Sequence, residues 1–247
     1  FMRIISLIPS ATEIICALGE EENLVGRSHE CDYPKSIQNL PMCTKLKFDV
    51  SGSSLDIEKS VNSFLIDSSS IYHIKEDLIK DIRPDIIFTQ SQCNVCAVSL
   101  EEVQAIFKGH KGIKPEIITL KPQTMEDIWK DINMVAESLG IPKKGLRLNR
   151  TIKKNIDLLE SAKENKKQKP TIACVEWIEP LMFAGNWVPE MVEIAGGNDI
   201  FGSAGVHSSW NTFENLLRSD PEKIIIMPCG YSIEKTKTEM ILSLIHI

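Results

Sequence analysis

Residues 82–90 read IRPDIIFTQ, which is a helix end followed by a proline, an acid and a short apolar strand. Pro84 ends the helix because its ring clashes with the preceding turn and it has no N–H to donate. A related stretch lies near the other end of the chain, where residues 219–227 read SDPEKIIIM. Because both stretches carry the same order of features, we expect two units of one design, each containing an apolar strand after a helix.

Strands and helices alternate around both stretches. Residues 3–8 read as a buried strand, and the apolar residues that follow recur at i, i+3, i+4 and i+7, which defines one helix face. These residues are Ala11, Ile14, Ile15 and Leu18. Such alternation is typical of a parallel sheet. The polar, Ser-rich residues 44–72 have no strong period, and we predict a long surface excursion there. The sequence predicts an α/β fold with two lobes.

A basic segment separates the two regions of alternating strands and helices. Residues 143–169 hold ten Lys or Arg and three acids, with partial helical periodicity, which predicts a long and largely solvated bridging helix. We therefore expect an N-terminal lobe over 1–142 and a C-terminal lobe over 170–247. Residues 242–247 stop without a helix-terminating signal, which suggests truncation. An alternative is that the cations form a patch for an anion or a membrane surface, although the acidic remainder argues against it.

The composition excludes several classes of protein. The chain has 247 residues and a formal net charge of -6, which argues against an electrostatic partnership with nucleic acid. No apolar run approaches the roughly 20 residues that cross a bilayer, so we expect no membrane-spanning helix.

No signal peptide is recognisable, which favours the cytoplasm, or the periplasm or cell surface if a leader was removed. We expect a monomer.

Loops at the carboxyl ends of strands hold candidate ligand contacts, because ligands on open parallel sheets bind there. In a two-lobed protein these ends would face a cleft. Pro9-Ser10 leads into a helix whose first N–H groups could bind a polar acceptor, with simple capping by Ser10 as the alternative. His29, Glu30 and Tyr33 follow the second strand. A titratable His29 in such a loop is a site candidate, and a structural role is equally open.

Cysteines suggest a second kind of chemistry. Cys93 and Cys96 form a C-x-x-C directly before a helix, a setting that can lower a thiol pKa and support redox chemistry or metal binding. His29 would be a further ligand of a bound transition metal. The alternative is that both cysteines are wall residues, and the absence of a second C-x-x-C gives no support to a zinc ribbon. This leaves open a cytosolic Cys/His metal-binding protein or a thiol-dependent enzyme.

Two tryptophans stand close together at the start of the second lobe. Trp177 and Trp187 lie in segments rich in Pro and Gly, where indoles often form flat walls for a large planar ligand. Burial of both in the core is the alternative. Glu176 and Asn186 would add polar contacts. The pattern favours a binding site over a Ser–His–Asp or phosphate-loop enzyme, because neither of those motifs is present.

These motifs together resemble the helical-backbone (class III) substrate-binding proteins of ABC importers, in the branch that binds cobalamin and related corrinoids. The resemblance covers nearly the whole chain and is most specific in strings typical of a subgroup that often lacks an export signal. The strings are HECDYP at 29–34, CNVCA at 93–97, AGNWVPE at 184–190 and PCG at 228–230. The resemblance implies two Rossmann-like lobes with parallel sheets, a single rigid bridging helix and a ligand clamped between the lobes.

The resemblance also implies roles for particular residues. Trp177 and Trp187 match the aromatic wall of the second lobe, and Pro9-Ser10 match the rim of the first. We therefore expect a non-enzymatic protein that holds cobalamin, a related corrinoid or a similar metal chelate, for ABC-type uptake with a permease or for intracellular handling. The predicted ligand contacts are Pro9, Ser10, His29, Glu30, Tyr33, Gln92, Trp177, Asn186, Trp187 and Cys229.

Overall fold

A computed structural model describes residues 2–67, 70–91, 97–108, 112, 114–161 and 169–245. The strands are β1 (Ile4–Ser6), β2 (Leu24–Arg27), β3 (Thr44–Leu46), β4 (Tyr72–Ile74), β5 (Ile86–Gln90), β6 (Glu116–Leu120), β7 (Thr171–Trp177), β8 (Met182–Phe183), β9 (Asn198–Asp199), β10 (Ser209–Trp210) and β11 (Lys223–Ile226). The α-helices are α1 (Pro9–Ala17), α2 (Ser54–Asp67), α3 (Glu76–Ile82), α4 (Leu100–Phe107), α5 (Met125–Ser138), α6 (Pro142–Ser161), α7 (Val188–Ile194), α8 (Phe213–Ser219) and α9 (Ile233–Ile245). Within the described residues, every helix is too short or too polar to traverse a lipid bilayer.

The first of two compact units carries a four-stranded parallel sheet in the order β2-β1-β5-β6. Its inner strands are buried along their whole length, as parallel strands covered on both faces should be. Ile4 and Phe88 pack with α1 and α5 on one face, while Ile5 and Ile87 are equally buried on the other. Each such side chain contributes about 2 kcal/mol by leaving water. The expected parallel α/β arrangement is confirmed here.

The second unit has a mixed sheet. Its order is β10-β8-β7-β11, with β9 also beside β7; β11 and β9 run parallel to β7, while β8 runs antiparallel to both β7 and β10. Only residues 178–181 separate β7 from β8. A connection this short cannot cross over a sheet, so the chain must return antiparallel. The α/β class is confirmed, and this hairpin is an addition that the sequence did not predict.

The two related stretches do form equivalent structures. Arg83 follows α3 with a φ of 50°, and Asp220 follows α8 with a φ of 43°; both residues adopt the left-handed conformation directly before a proline. Each proline leads into a parallel strand next to the first strand of its unit, β5 beside β1 and β11 beside β7. They differ in burial: β5 is fully buried, whereas Ile224 and Ile225 of β11 are exposed.

The predicted surface excursion over 44–72 is wrong. These residues form β3, the 14-residue α2 and the start of β4. Ile57 and Val61 are buried one turn apart, so α2 does have an apolar stripe. Ser53 and Asp56 begin the helix, since the Ser53 N–H and hydroxyl both donate to Asp56 Oδ2. Of the serines that suggested a loop, Ser51 and Ser63 are exposed, and Ser53 and Ser54 lie at the start of α2.

The boundaries 1–142, 143–169 and 170–247 stay a prediction. The first unit comprises the chain up to Asp49, Val61–Lys121 and Trp129–Asn149, and the second comprises Val50–Ser60, Pro122–Ile128 and everything from Arg150 onwards. The chain therefore passes from one unit to the other within α6, which ends at Ser161 among the described residues.

Candidate functional site

The start of α1 lies at the carboxyl end of β1. Pro9 is its first residue, Ile8 stands at the cap position, and no side chain caps the helix. The alternative that Ser10 merely caps α1 is therefore wrong. The Ser10 side chain is exposed. Its role as a ligand contact stays a prediction.

A buried arginine fixes the loop that follows β2. The Arg27 guanidinium donates to the backbone oxygens of Ser28 and Cys31, both at 3.0 Å, and of Gln38 at 2.7 Å. Hydrogen bonds from a charged donor are among the stronger ones in a fold. Arg27 thus holds the loop that presents His29, Glu30 and the exposed Tyr33. Sequence reasoning missed it, although a lone cation at the end of an apolar strand was a usable signal.

His29 is anchored on both sides of its ring. Its Nδ1 lies 2.7 Å from Thr44 Oγ1, which also accepts the His29 backbone N–H at 3.1 Å. Its buried Nε2 lies 3.1 Å from Glu30 Oε1, within ion-pair distance but without the alignment of a hydrogen bond. The Tyr72 ring lies 5.7 Å away, centroid to centroid. The arrangement gives His29 a structural role, and its use as a ligand contact stays a prediction.

Glu30 should make stability depend on pH. The contact with His29 lowers the pKa of Glu30, against the opposing effect of burial. A carboxylate with a lowered folded-state pKa stabilises the fold above its unfolded pKa, and this contribution disappears as pH falls through the folded pKa. Glu30→Gln should therefore lower the thermal midpoint at pH 7, and its effect should shrink as pH falls below the ordinary pKa of a glutamate and vanish below the lowered folded-state pKa. Melting curves of the variant, the parent and an exposed control, Glu22→Gln, test this; an effect independent of pH would contradict it.

Four of the described thiols lie in surroundings that disfavour their thiolate form. Burial raises the pKa of Cys16, Cys43 and Cys174 to about 11, and burial also raises that of Cys31, whose sulfur accepts from the Thr12 hydroxyl at 3.1 Å. A raised pKa disfavours the thiolate, which is the form that binds metal ions and attacks disulfides. In the described part of the chain no three His, Cys, Asp or Glu side chains converge as a metal site. Gln92, Cys93 and Cys96 lie outside the described residues.

Glu176 joins three loops at the carboxyl edge of the second sheet. Its Oε2 accepts from the Ser208 hydroxyl, which in turn accepts the Gly185 N–H at 3.2 Å. Its Oε1 lies 3.5 Å from the sulfur of Cys229, an exposed residue. Glu176 itself lies in β7, and Gly185, Ser208 and Cys229 lie in the loops that follow β8, β9 and β11. The contact gives Cys229 a polar neighbour at the surface.

Trp177 contacts an aromatic residue that sequence reasoning did not select. Its ring meets Tyr231 edge-on at 5.4 Å between centroids, and Lys235 Nζ lies 4.2 Å from the Tyr231 ring. Trp177 Nε1 and the Tyr231 hydroxyl are buried, and neither has a hydrogen-bond partner among the described residues. Burial, with a smaller effect of Glu239, raises the pKa of Tyr231 to about 12, so its hydroxyl keeps its proton. An aromatic one residue after the PCG string was the available signal.

The Asn186-Trp187 segment is held by its backbone. Asn186 has a φ of 52°, its N–H donates to Val206 at 2.6 Å, and its carbonyl accepts from Gly205 at 2.9 Å. Asparagine tolerates this left-handed conformation better than most residues. Trp187 precedes the first turn of α7 and is half-buried, as Trp177 is. Neither indole lies in the core, and among the described residues no ring contact joins the two.

Comparisons with known proteins agree with this fold. The periplasmic binding protein family model matches residues 4–244. A vitamin B12-binding protein of Vibrio parahaemolyticus is 26% identical over 222 residues, covering 89% of this chain and 68% of the relative. A vitamin B12-binding protein of Vibrio vulnificus is 22% identical over 227 residues, covering 92% and 71%.

Solved structures of low identity share the fold. The periplasmic vitamin B12 binding protein BtuF of Vibrio cholerae superposes with a TM-score of 0.64 at 20% identity, over 96% of this chain and 82% of that one. The periplasmic heme binding protein HutB of the same species gives 0.69 at 15% identity, over 98% and 84%. Since the family model spans nearly the whole chain, this protein belongs to the periplasmic binding protein family, with the class III fold that its sequence predicts.

Proposed function

We propose that this protein is the substrate-binding component of an ABC importer and that it binds cobalamin or a related corrinoid. The observation that carries the proposal is the name shared by curated relatives: vitamin B12-binding proteins align with as much as 95% of this chain. An importer component hands its ligand to a permease, which would be the partner. One further relative, from Bacillus subtilis, is named an ABC transporter substrate-binding lipoprotein, which supports a place outside the cytoplasm.

The aromatic residues of the site suit a large planar ligand. Trp177 rests edge-on against Tyr231, which holds its indole at the carboxyl edge of the second sheet. Tyr33 is 64% exposed at the corresponding edge of the first sheet, and Trp187 is half-buried. Large flat faces of this kind bury ligand area at little cost in side-chain entropy, since each ring has only two rotatable bonds. We assign the rings of Tyr33, Trp177 and Trp187 to contacts with the corrin face.

Unpartnered donors suit the edge of a corrinoid. The Trp177 Nε1 and the Tyr231 hydroxyl are polar and buried, and burial without an acceptor is unfavourable by about 1–3 kcal/mol for each group. A corrinoid carries side-chain amides whose carbonyl oxygens could accept from them. Asn186 and Glu176 would add an amide and a carboxylate to the same edge. This chemistry describes a binding protein and gives no residue a catalytic role.

His29 favours a corrinoid over haem. A haem iron takes an axial ligand from the protein, commonly a histidine nitrogen. Here the His29 Nδ1 faces Thr44 and its buried Nε2 faces Glu30, so neither nitrogen points to open space. A cobalamin carries its own lower axial base and needs no such residue. His29 is thus poorly placed to ligate a haem iron, which supports a ligand that brings its own axial group.

Titration with cyanocobalamin tests the proposal. We expect saturable quenching of tryptophan fluorescence and a saturable calorimetric signal, because the indoles would contact the ligand. Hemin serves as the competing planar chelate. A flat cobalamin titration at tens of micromolar, or binding of hemin alone, would overturn the corrinoid assignment. Stoichiometric transition metal that is lost on Cys93→Ser with Cys96→Ser would instead favour the metal-binding alternative.

A further inference from the structure

The cations of α6 are sorted onto one side of the helix. Lys143, Arg147, Arg150 and Lys154 follow one another at spacings of four, three and four residues, which aligns them along a single face. All four are exposed. At a rise of about 1.5 Å per residue they span about 16 Å. We call these four residues the basic stripe.

Packing on the opposite side fixes the direction of the basic stripe. Gly145 is buried where an added Cβ would lie 2.6 Å from the Ala136 Cβ, so α6 and α5 approach closely there. Asn149 is also buried, and its Nδ2 donates to Trp129 O and to Asn133 Oδ1, each at 2.9 Å. These contacts set the rotation of α6 about its axis. The basic stripe consequently faces solvent.

The charge of α6 stands out against the rest of the chain. The helix contains six cations and only two acids, both near its C-terminal end, in a chain with a formal net charge of -6. Two cations on its flanks are in ion pairs, Lys144 with Glu20 at 2.7 Å and Lys153 with Glu126 at 3.8 Å. Three of the stripe residues, Lys143, Arg150 and Lys154, form no ion pair with a described residue. The stripe is therefore a concentrated positive surface.

Exposed leucines border the basic stripe. Leu146 is 56% exposed and Leu158 is 60% exposed, one near each end of the stripe and on opposite sides of it. Cations mixed with exposed leucines are typical of helices that rest on a lipid surface, where the charges meet headgroups and the apolar side chains enter the layer beneath. A nucleic acid or a soluble anion would use the cations and leave the leucines in water.

We propose that the basic stripe, with Leu146 and Leu158, is a docking surface for the headgroup layer of a bilayer that contains anionic lipid. Each cation near such a surface strengthens partitioning by a factor of about five, so Lys143, Arg150 and Lys154 alone give on the order of a hundredfold at low salt. The acidic remainder of the chain does not cancel this attraction. At physiological ionic strength, charges farther than about 8 Å from the surface are largely screened.

Co-sedimentation with lipid vesicles tests the proposal. We expect the protein to bind vesicles of phosphatidylcholine mixed with phosphatidylglycerol, and to bind phosphatidylcholine alone at least about tenfold more weakly. Arg150→Glu with Lys154→Glu should reduce binding to the anionic vesicles by more than about tenfold. Raising the salt concentration should weaken binding of the parent protein, and Leu146→Ser should weaken it without changing that salt dependence.

Matched controls separate docking from general charge. Lys45→Glu with Lys114→Glu makes the same change in net charge at two exposed positions away from α6 and should leave vesicle binding nearly unchanged. Circular dichroism melting confirms that each variant folds; if the double reversal does not, Arg150→Gln with Lys154→Gln replaces it. Equal binding to both kinds of vesicle, equal losses in the two double variants, or binding of duplex RNA without vesicle binding would overturn the proposal.

Discussion

The Gly185→Ala variant is expected to lose about 3 kcal/mol or more of unfolding free energy in the second unit. Gly185 is buried, and a Cβ at this position would lie 2.2 Å from Val206 O and 2.8 Å from both the His207 carbonyl carbon and the Ser208 nitrogen. All three are backbone atoms, which cannot move aside as the end of a flexible side chain can. The loop that carries Asn186 must therefore shift as a whole.

Urea unfolding, followed by tryptophan fluorescence and circular dichroism, measures this effect. Gly112→Ala is the matched control, because a Cβ there would have no atom within 4 Å. Both substitutions reduce the conformational freedom of the unfolded chain to the same degree, so the difference between them isolates the clash. A midpoint for Gly185→Ala as high as that of Gly112→Ala would contradict the close packing of this loop.

Those parts of the fold that depend on local sequence were predictable. The S-x-x-E pattern of Ser99 and Glu102 predicts a capping box. α4 has one, with the Glu102 N–H donating to Ser99 Oγ at 3.3 Å and the Ser99 N–H donating to Glu102 Oε2 at 3.0 Å. Pro84 and Pro221 end α3 and α8 where the sequence indicates. Such features involve residues within a few positions of one another, and their geometry is set by backbone sterics and hydrogen bonding.

Features that depend on contacts distant in sequence were not predictable. The β8 strand has two residues and no period, so only its pairing with β7 and β10 defines it. Tyr231 lies far along the chain from Trp177, and Ser208 lies 32 residues from Glu176. The sequence shows Arg27 only as a cation at the end of a strand, and only the structure reveals the three backbone carbonyls to which it donates. In each case the partner is chosen by tertiary packing, which a single sequence does not display.

Trp177→Ala is expected to weaken cyanocobalamin binding by more than about tenfold. The substitution removes the flat face that the proposed function assigns to the corrin ring, together with the indole N–H that has no acceptor in the described part of the chain. It also removes the edge-on contact with Tyr231, so part of the loss reflects a less ordered free site. Trp177→Phe keeps a ring and omits the N–H, and we expect a smaller loss. Calorimetric titration measures the change in Kd for each variant.

Two controls make the result of Trp177→Ala specific. Trp210→Ala removes a tryptophan that is 54% exposed in β10, and should leave the Kd unchanged. Tyr231→Phe keeps the ring behind Trp177 and removes a buried hydroxyl that no described residue hydrogen-bonds, so thermal stability should be unchanged or higher. If Trp177→Ala does not fold, Trp177→Phe and Tyr231→Phe still measure the two donors. Parent-like affinity in Trp177→Ala, or equal losses in Trp177→Ala and Trp210→Ala, would show that the ligand does not rest on this indole.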